Sequence, residues 1–287
     1  MFNYIKMLLS VSANVTRNTL VNTQKKKAPS KSELLLYNAL CSAVTCIALI
    51  MAGKGIGQIA MYPFLLSIVY AAALVTSYQT LILAMREGPM SYTVLISTCG
   101  MIIPTLFGTF AYHEAVSVLQ IIGFILMPIG FYFGANPKKS EKVTVKWAKY
   151  VFTCFFSNGM QGVLQKVLIR SDYSQQNGMF LASAFFIATV ILCIIYLLQK
   201  EKTKEGKDFP KKYATSVIVG VLDAFQHKVN IVLSGVLPSI ICYPVINGGG
   251  IAGATIVSVV LFKEKMDKKQ KIGFVICVLS IILMCMA

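Results

Sequence analysis

The stretch EAVSVLQIIGF, Glu114 to Phe124, returns 150 residues later as EKMDKKQKIGF, Glu264 to Phe274. Five residue types keep their places: Glu114/Glu264, Gln120/Gln270, Ile122/Ile272, Gly123/Gly273 and Phe124/Phe274. Upstream at the same shift, Gly100 meets Gly250 and Thr105 meets Thr255. At slightly smaller shifts Gln79 meets Gln226 and Asn14 meets Asn158, as small insertions between two copies would produce. Chance likeness between apolar segments does not place matching polar residues and glycines at the segment edges. The chain reads as two copies of one unit.

Composition says what that unit lives in. Of the 287 residues, 56% are hydrophobic and 13% charged, with a mean hydropathy of +0.69. Soluble domains carry about 25% charged residues. The imbalance excludes a soluble enzyme and a disordered chain, and makes the bilayer the solvent. Uncharged runs then mark the spans, with Pro238 dividing the long run Val229–Phe262. The expected transmembrane helices cover residues 4–23, 33–53, 61–85, 91–112, 116–135, 148–169, 178–199, 213–235, 239–262 and 270–287. Five fall in residues 1–137 and five in 148–287, with a linker at 138–147. The first span is the most polar, and the repeat supports it because the sixth needs a counterpart.

Net charge is +16, a value that in a soluble protein would suggest nucleic acid. Here the basic residues sit in short loops between apolar runs, so no nucleic-acid partner is expected. Of 27 lysines and arginines, 21 lie in alternate loops and 2 in the loops between them. That asymmetry is a positive-inside signal. It predicts that loops 24–32, 138–149, 200–212 and 263–271 face the cytoplasm of a cell (plasma) membrane, with both termini on the other side. Trp147 and Tyr150 fit an interfacial anchor. An odd number of spans per copy makes the second copy enter from the opposite side. The expected fold is therefore an all-α polytopic membrane protein: ten transmembrane helices, as two inverted five-helix repeats, around a central cavity. Such repeats belong to alternating-access transporters, whose sites lie at the repeat interface near the midplane.

With the ten spans, the five-plus-five repeat and the Glu-x5-Gln-x-Ile-Gly-Phe turn before the fifth span of each half, the chain resembles the drug/metabolite transporter superfamily, EamA-like branch. The resemblance is strongest over residues 88–135 and 238–287. It implies a basket of ten helices. The first, third, fourth, sixth, eighth and ninth spans would surround the cavity, with the fifth and tenth packed to one side.

Polar residues inside the spans name the candidate site. In the eighth span Asp223, Gln226, His227 and Asn230 follow i, i+3, i+4, i+7 and share one helical face. A charge in hydrocarbon costs at least about 2.5–3.5 kcal/mol, so it belongs in a cavity beside a partner. Asp223 and His227 are the candidates for carrying a proton. Asn14, Arg17 and Asn18 share a face of the first span, with Asn22 one turn on. Thr76, Gln79 and Thr80 in the third span and Asn158, Gln161 and Gln165 in the sixth complete the polar stripes, while spans 2, 5, 7 and 10 have almost none. Asn247 in the ninth span joins the cavity set. Arg17 can hold a carboxylate or phosphate, or pair structurally with Asp223. Lys166 and Lys228 can snorkel. With Arg17 and against Asp223 they leave a formal +2, which favours an anionic or zwitterionic solute such as an amino acid. Glu114 and Glu264 read as caps at helix turns. Asn247-Gly248-Gly249-Gly250 lacks the Lys-Ser/Thr of a phosphate loop, so it marks close helix approach. Gly130 and Gly134 form a G-x-x-x-G that would allow a homodimer as well as a monomer. Pro104 and Pro244 can kink their helices.

No cofactor and no metal site are expected. His113-Glu114 lacks the second histidine of a zinc motif, and the eight cysteines, none in C-x-x-C, read as small apolar packers. The expected partners are a small-molecule substrate and the lipid bilayer. The function predicted is secondary transport of a small organic solute (metabolite, amino acid or drug-like compound) by alternating access, driven by an ion or solute gradient. A flippase for a lipid-linked substrate on the same fold is the alternative. A membrane enzyme is a weaker one, since convergent nucleophiles, ligands and paired acids are missing.

Overall fold

In lipid, backbone polar groups must be satisfied within their own segment, which selects helices. The structure is a computed structural model that describes residues 2–27, 31–53, 57–88, 90–134, 144–199, 213–261, 263 and 266–286. Among these residues the secondary structure is entirely helical. The helices are α1 (Phe2–Lys27), α2 (Lys31–Ala52), α3 (Met61–Glu87), α4 (Met90–Cys99), α5 (Ile102–Ala111) and α6 (Val118–Gly134). They continue as α7 (Val145–Ile169), α8 (Asn177–Leu197), α9 (Thr215–Val236), α10 (Ser239–Leu261) and α11 (Lys268–Cys285). Six segments are long and apolar enough to cross a membrane: α2, α3, α4 with α5, α8, α9 and α10. At 17 residues, α6 is apolar but shorter. Glu264 and the whole of the loops 135–143 and 200–212 lie outside the described residues.

The expected fourth span is two helices. Pro104 has no N–H to give and its ring crowds the carbonyl four residues back. The chain therefore tightens over Cys99–Met101, where Gly100 N–H turns to Ser97 O at 3.2 Å and Met101 N–H to Thr98 O at 3.1 Å. Pro244 has no such effect, and α10 runs through it unbroken.

Helix packing groups α1 with α9 and α10, and groups α7 with α3, α4 and α5. Helices α2 and α8 pair with each other, as do α6 and α11. The two halves of the chain are thus interleaved: each group takes one helix from one half and the rest from the other. Exchanging the halves carries one group onto the other and each pair onto itself.

One sequence expectation is corrected here. Trp147 is no surface anchor. Its ring is buried between α3, α4 and α7, with Nε1 donating to Thr93 Oγ1 at 2.8 Å. Within α6 the side of Gly130 meets α11 of the same chain, while a Cβ on Gly134 would meet nothing within 4 Å. A Cβ on Gly130 would lie 2.7 Å from Cys277 Sγ, and one on Gly273 would lie 2.3 Å from Gly134 N and 2.6 Å from Gly130 O. Because those neighbours are backbone, Gly273→Ala must push α6 and α11 apart. We expect a loss of about 1–3 kcal/mol, read as a lower thermal midpoint in detergent. The glycine run of α10 does bring helices close, with Gly250 on Asn14 and Gly253 on Val15 of α1.

Candidate functional site

Between the α1–α9–α10 group and the α3–α4–α5–α7 group lies a cavity of about 310 Å³. That is the lower end of the range for small-molecule sites, roughly 300–1,000 Å³. Its walls set many amides and hydroxyls among apolar side chains such as Leu74, Ile82 and Met101. From α1 come Asn14, Arg17 and Asn18; from α9 Asp223, Gln226, His227 and Asn230; from α10 Asn247 and Tyr243. The facing wall holds Asn158, Gln161 and Gln165 of α7, Ser97 and Thr98 of α4, and Tyr70, Ser77 and Tyr78 of α3.

A hydrogen-bonded chain runs along the first wall. Arg17 Nε donates to Asp223 Oδ1 at 2.5 Å, Arg17 Nη1 to Asn18 Oδ1 at 3.0 Å, and Asn18 Nδ2 to Asn14 Oδ1 at 2.7 Å. Asn14 Nδ2 ends it on the Ile246 carbonyl at 3.4 Å. Arg17 and Asp223 are the two members of an ion pair, and of the two Arg17 is the more exposed, at 24% against 3%. On the second wall Gln161 Nε2 donates to Ser77 Oγ at 3.1 Å, and Asn158 Nδ2 to Ser97 O at 3.3 Å.

His227 joins the walls. Gln165 Nε2 donates to the Tyr70 hydroxyl oxygen at 2.8 Å, and that hydroxyl lies 3.1 Å from His227 Nδ1. With its oxygen occupied, Tyr70 has its proton free for Nδ1. This suits a neutral imidazole carrying hydrogen on Nε2. The ring also stacks edge-on with Phe185, centroids 5.0 Å apart.

Thr76, Gln79 and Thr80 are not brought to the cavity. Helical residues turn about 100° each, and Tyr70, Leu74, Ser77, Tyr78 and Leu81 form the face of α3 that meets it. The three expected residues fall on the opposite face, where Thr80 Oγ1 bonds its own helix at Thr76 O. The second span, expected to be almost bare of polar lining, supplies Tyr37, Asn38 and Cys41. Tyrosines in apolar runs read as core, so these contributions carry no polar-stripe signal. Tyr70 and Tyr78 share their face at i, i+8, which a search for hydroxyl-bearing aromatics could have found.

Lys166 does not snorkel. It is fully buried and paired with Glu114, away from the cavity lining. Lys228 bonds Asn177 Oδ1 at 2.6 Å and is likewise outside the lining. The formal +2 of the sequence count therefore does not reach the cavity, whose charged lining is the Arg17–Asp223 pair. Glu114 sits in the turn after α5. Burial alone disfavours its ionised form, but Lys166 and the Ser239 N–H outweigh that and hold the carboxyl below its ordinary 4.5. A depressed carboxyl stabilises the fold above its unfolded value, and that stability is lost as pH falls through the folded value. The thermal midpoint should hold above pH 4.5 and fall below it, with a shallower fall in Glu114→Gln.

No curated protein matches the sequence. A solved crystal structure superposes on this chain with a TM-score of 0.75, covering 98% of each chain at 13% identity. That likeness concerns the fold. A model of the EamA-like transporter family matches residues 145–286, which span helices α7–α11. A multi-pass membrane chain with a polar central cavity and that match belongs to the EamA-like transporter family.

Proposed function

We propose that the chain is a secondary transporter that moves a small organic solute through the central cavity by alternating access. The carrying observation is a cavity of about 310 Å³ inside an apolar bundle, with amides, hydroxyls and one ion pair in its walls. Polar groups in lipid are costly, and a cavity wall gives them a use. In this reading ten segments cross the membrane as two inverted five-span repeats, α4 with α5 making one. The exchange symmetry of the helix packing supports that arrangement. The moving bodies are then the α1–α9–α10 group and the α3–α4–α5–α7 group. The basic loops lie in the cytoplasm of a cell membrane, and an ion or solute gradient drives the cycle. Asp223 carries any coupled proton in preference to His227, whose Nδ1 is already committed to Tyr70.

The cavity's charged lining sums to zero, so a zwitterionic or uncharged polar solute fits better than a net anion. The test is a flux screen in proteoliposomes over zwitterionic, uncharged polar, anionic and cationic metabolites, with and without a pH gradient. Saturable flux of zwitterionic or neutral polar solutes is expected. Flux confined to cations, or to none of the classes, would overturn the reading.

A further inference from the structure

Away from the cavity the chain buries a second ion pair. Glu114 and Lys166 meet with side chains 7% and 0% exposed, and Arg170 stands 3.6 Å from the same carboxylate oxygen. All three belong to the α3–α4–α5–α7 group or its end turns. Both members of the pair also reach across to the other group. Lys166 Nζ donates to the Ser234 carbonyl at 2.6 Å, and the Ser239 N–H donates to Glu114 Oε2 at 2.6 Å. Ser234 lies near the end of α9 and Ser239 opens α10. The two bonds hold the corner 237–238 from both sides. Gly108 permits the close fit, since a Cβ there would lie 1.9 Å from Ser239 Oγ.

The corner adjoins the cavity wall, since Ser239 begins the helix that carries Cys242 and Tyr243 of the lining. The lining residues nearest it, Gln165, Cys242 and Tyr243, are buried. Tyr243 also donates its hydroxyl to the Gly162 carbonyl of α7 at 2.8 Å. Elsewhere in the lining Val21, Asn38 and Thr98 are partly exposed.

A buried ion pair adds little stability over apolar residues of the same size. What it adds here is a two-way choice. Either the corner is held and both charges are satisfied, or it has left and both must be hydrated. Arg170, 41% exposed, stands at the water side of the pair. We propose that Glu114 and Lys166 form the latch that keeps the cavity shut at this end, and that release of corner 237–238 opens it. The latch rests on the alternating-access reading, and a reporter cysteine at the lining position of Asn230 separates the two.

The experiment makes Asn230→Cys, a partly exposed lining position one turn before Ser234, the single cysteine of the parent chain in proteoliposomes and applies a membrane-impermeant maleimide to each side in turn. A parallel chain with His113→Cys identifies the side of the 112–117 turn. The parent should react from the opposite side and scarcely from the turn side. Lys166→Met, and the double variant Glu114→Gln with Lys166→Met, should raise the turn-side rate at least about tenfold. Arg170→Gln, at a partly exposed position, should raise it by a smaller factor and decides the matter if the buried variants do not fold. Unchanged turn-side rates with opposite-side labelling intact overturn the latch and leave the transport reading standing. A cysteine at position 230 that reacts from neither side in the parent or any variant overturns both.

Discussion

Asp223→Asn should cut solute flux in proteoliposomes by about 100-fold or more, and adding Arg17→Gln should not bring it back. The single substitution leaves Arg17 facing the cavity without its carboxylate, 2.5 Å away in the parent. Breaking one partner from a buried pair costs about 3–5 kcal/mol, and each 1.4 kcal/mol is about tenfold. Stability and transport separate in the double variant. Two neutral amides carry no unpaired charge, so folding should recover, as judged by a monodisperse profile and thermal midpoint in detergent. Flux should stay low, because the groups that would meet a solute's carboxylate and ammonium are gone. Wild-type flux in the double variant would show that the pair only neutralises itself and that the solute is recognised elsewhere.

The largest stability loss should come from Lys166→Ala. It strands Glu114, whose side chain is 7% exposed, and leaves the Ser234 carbonyl without the lysine bond. We expect a loss of about 3–5 kcal/mol, lowering the thermal midpoint by about 10 °C. Removing the whole pair, with Glu114→Gln and Lys166→Met, should recover most of it, because an apolar or neutral replacement avoids the lone charge. A Lys166→Ala midpoint within 2–3 °C of the parent, roughly 1 kcal/mol, would mean that water already reaches Glu114.

These outcomes depend on features the sequence reveals unevenly. The repeat EAVSVLQIIGF/EKMDKKQKIGF and the uncharged runs suffice to set out the helices, since lipid leaves the backbone few choices. The i, i+3, i+4, i+7 spacing brings Asp223, Gln226, His227 and Asn230 to one face, and the structure puts that face on the cavity. Helical period alone cannot say which face of α3 turns inward. Thr76, Gln79 and Thr80 therefore mislead, while Ser77 and two tyrosines supply the wall. Pairings across 50 or more residues leave no local pattern, so the burial of Lys166 against Glu114 is legible only in three dimensions. The same holds for Gly130, whose contact with Cys277 and Gly273 of α11 spans more than 140 residues.

Counterflow tests the whole account most directly. Proteoliposomes are loaded with an excess of an unlabelled solute identified by the flux screen, and its labelled form is supplied outside at trace concentration. A carrier that exposes one cavity to each side in turn must accumulate label transiently above equilibrium, and the Asp223→Asn chain must not. Label that rises only to equilibrium, with no overshoot in the parent chain, would mean an open path or none at all, and would contradict alternating access.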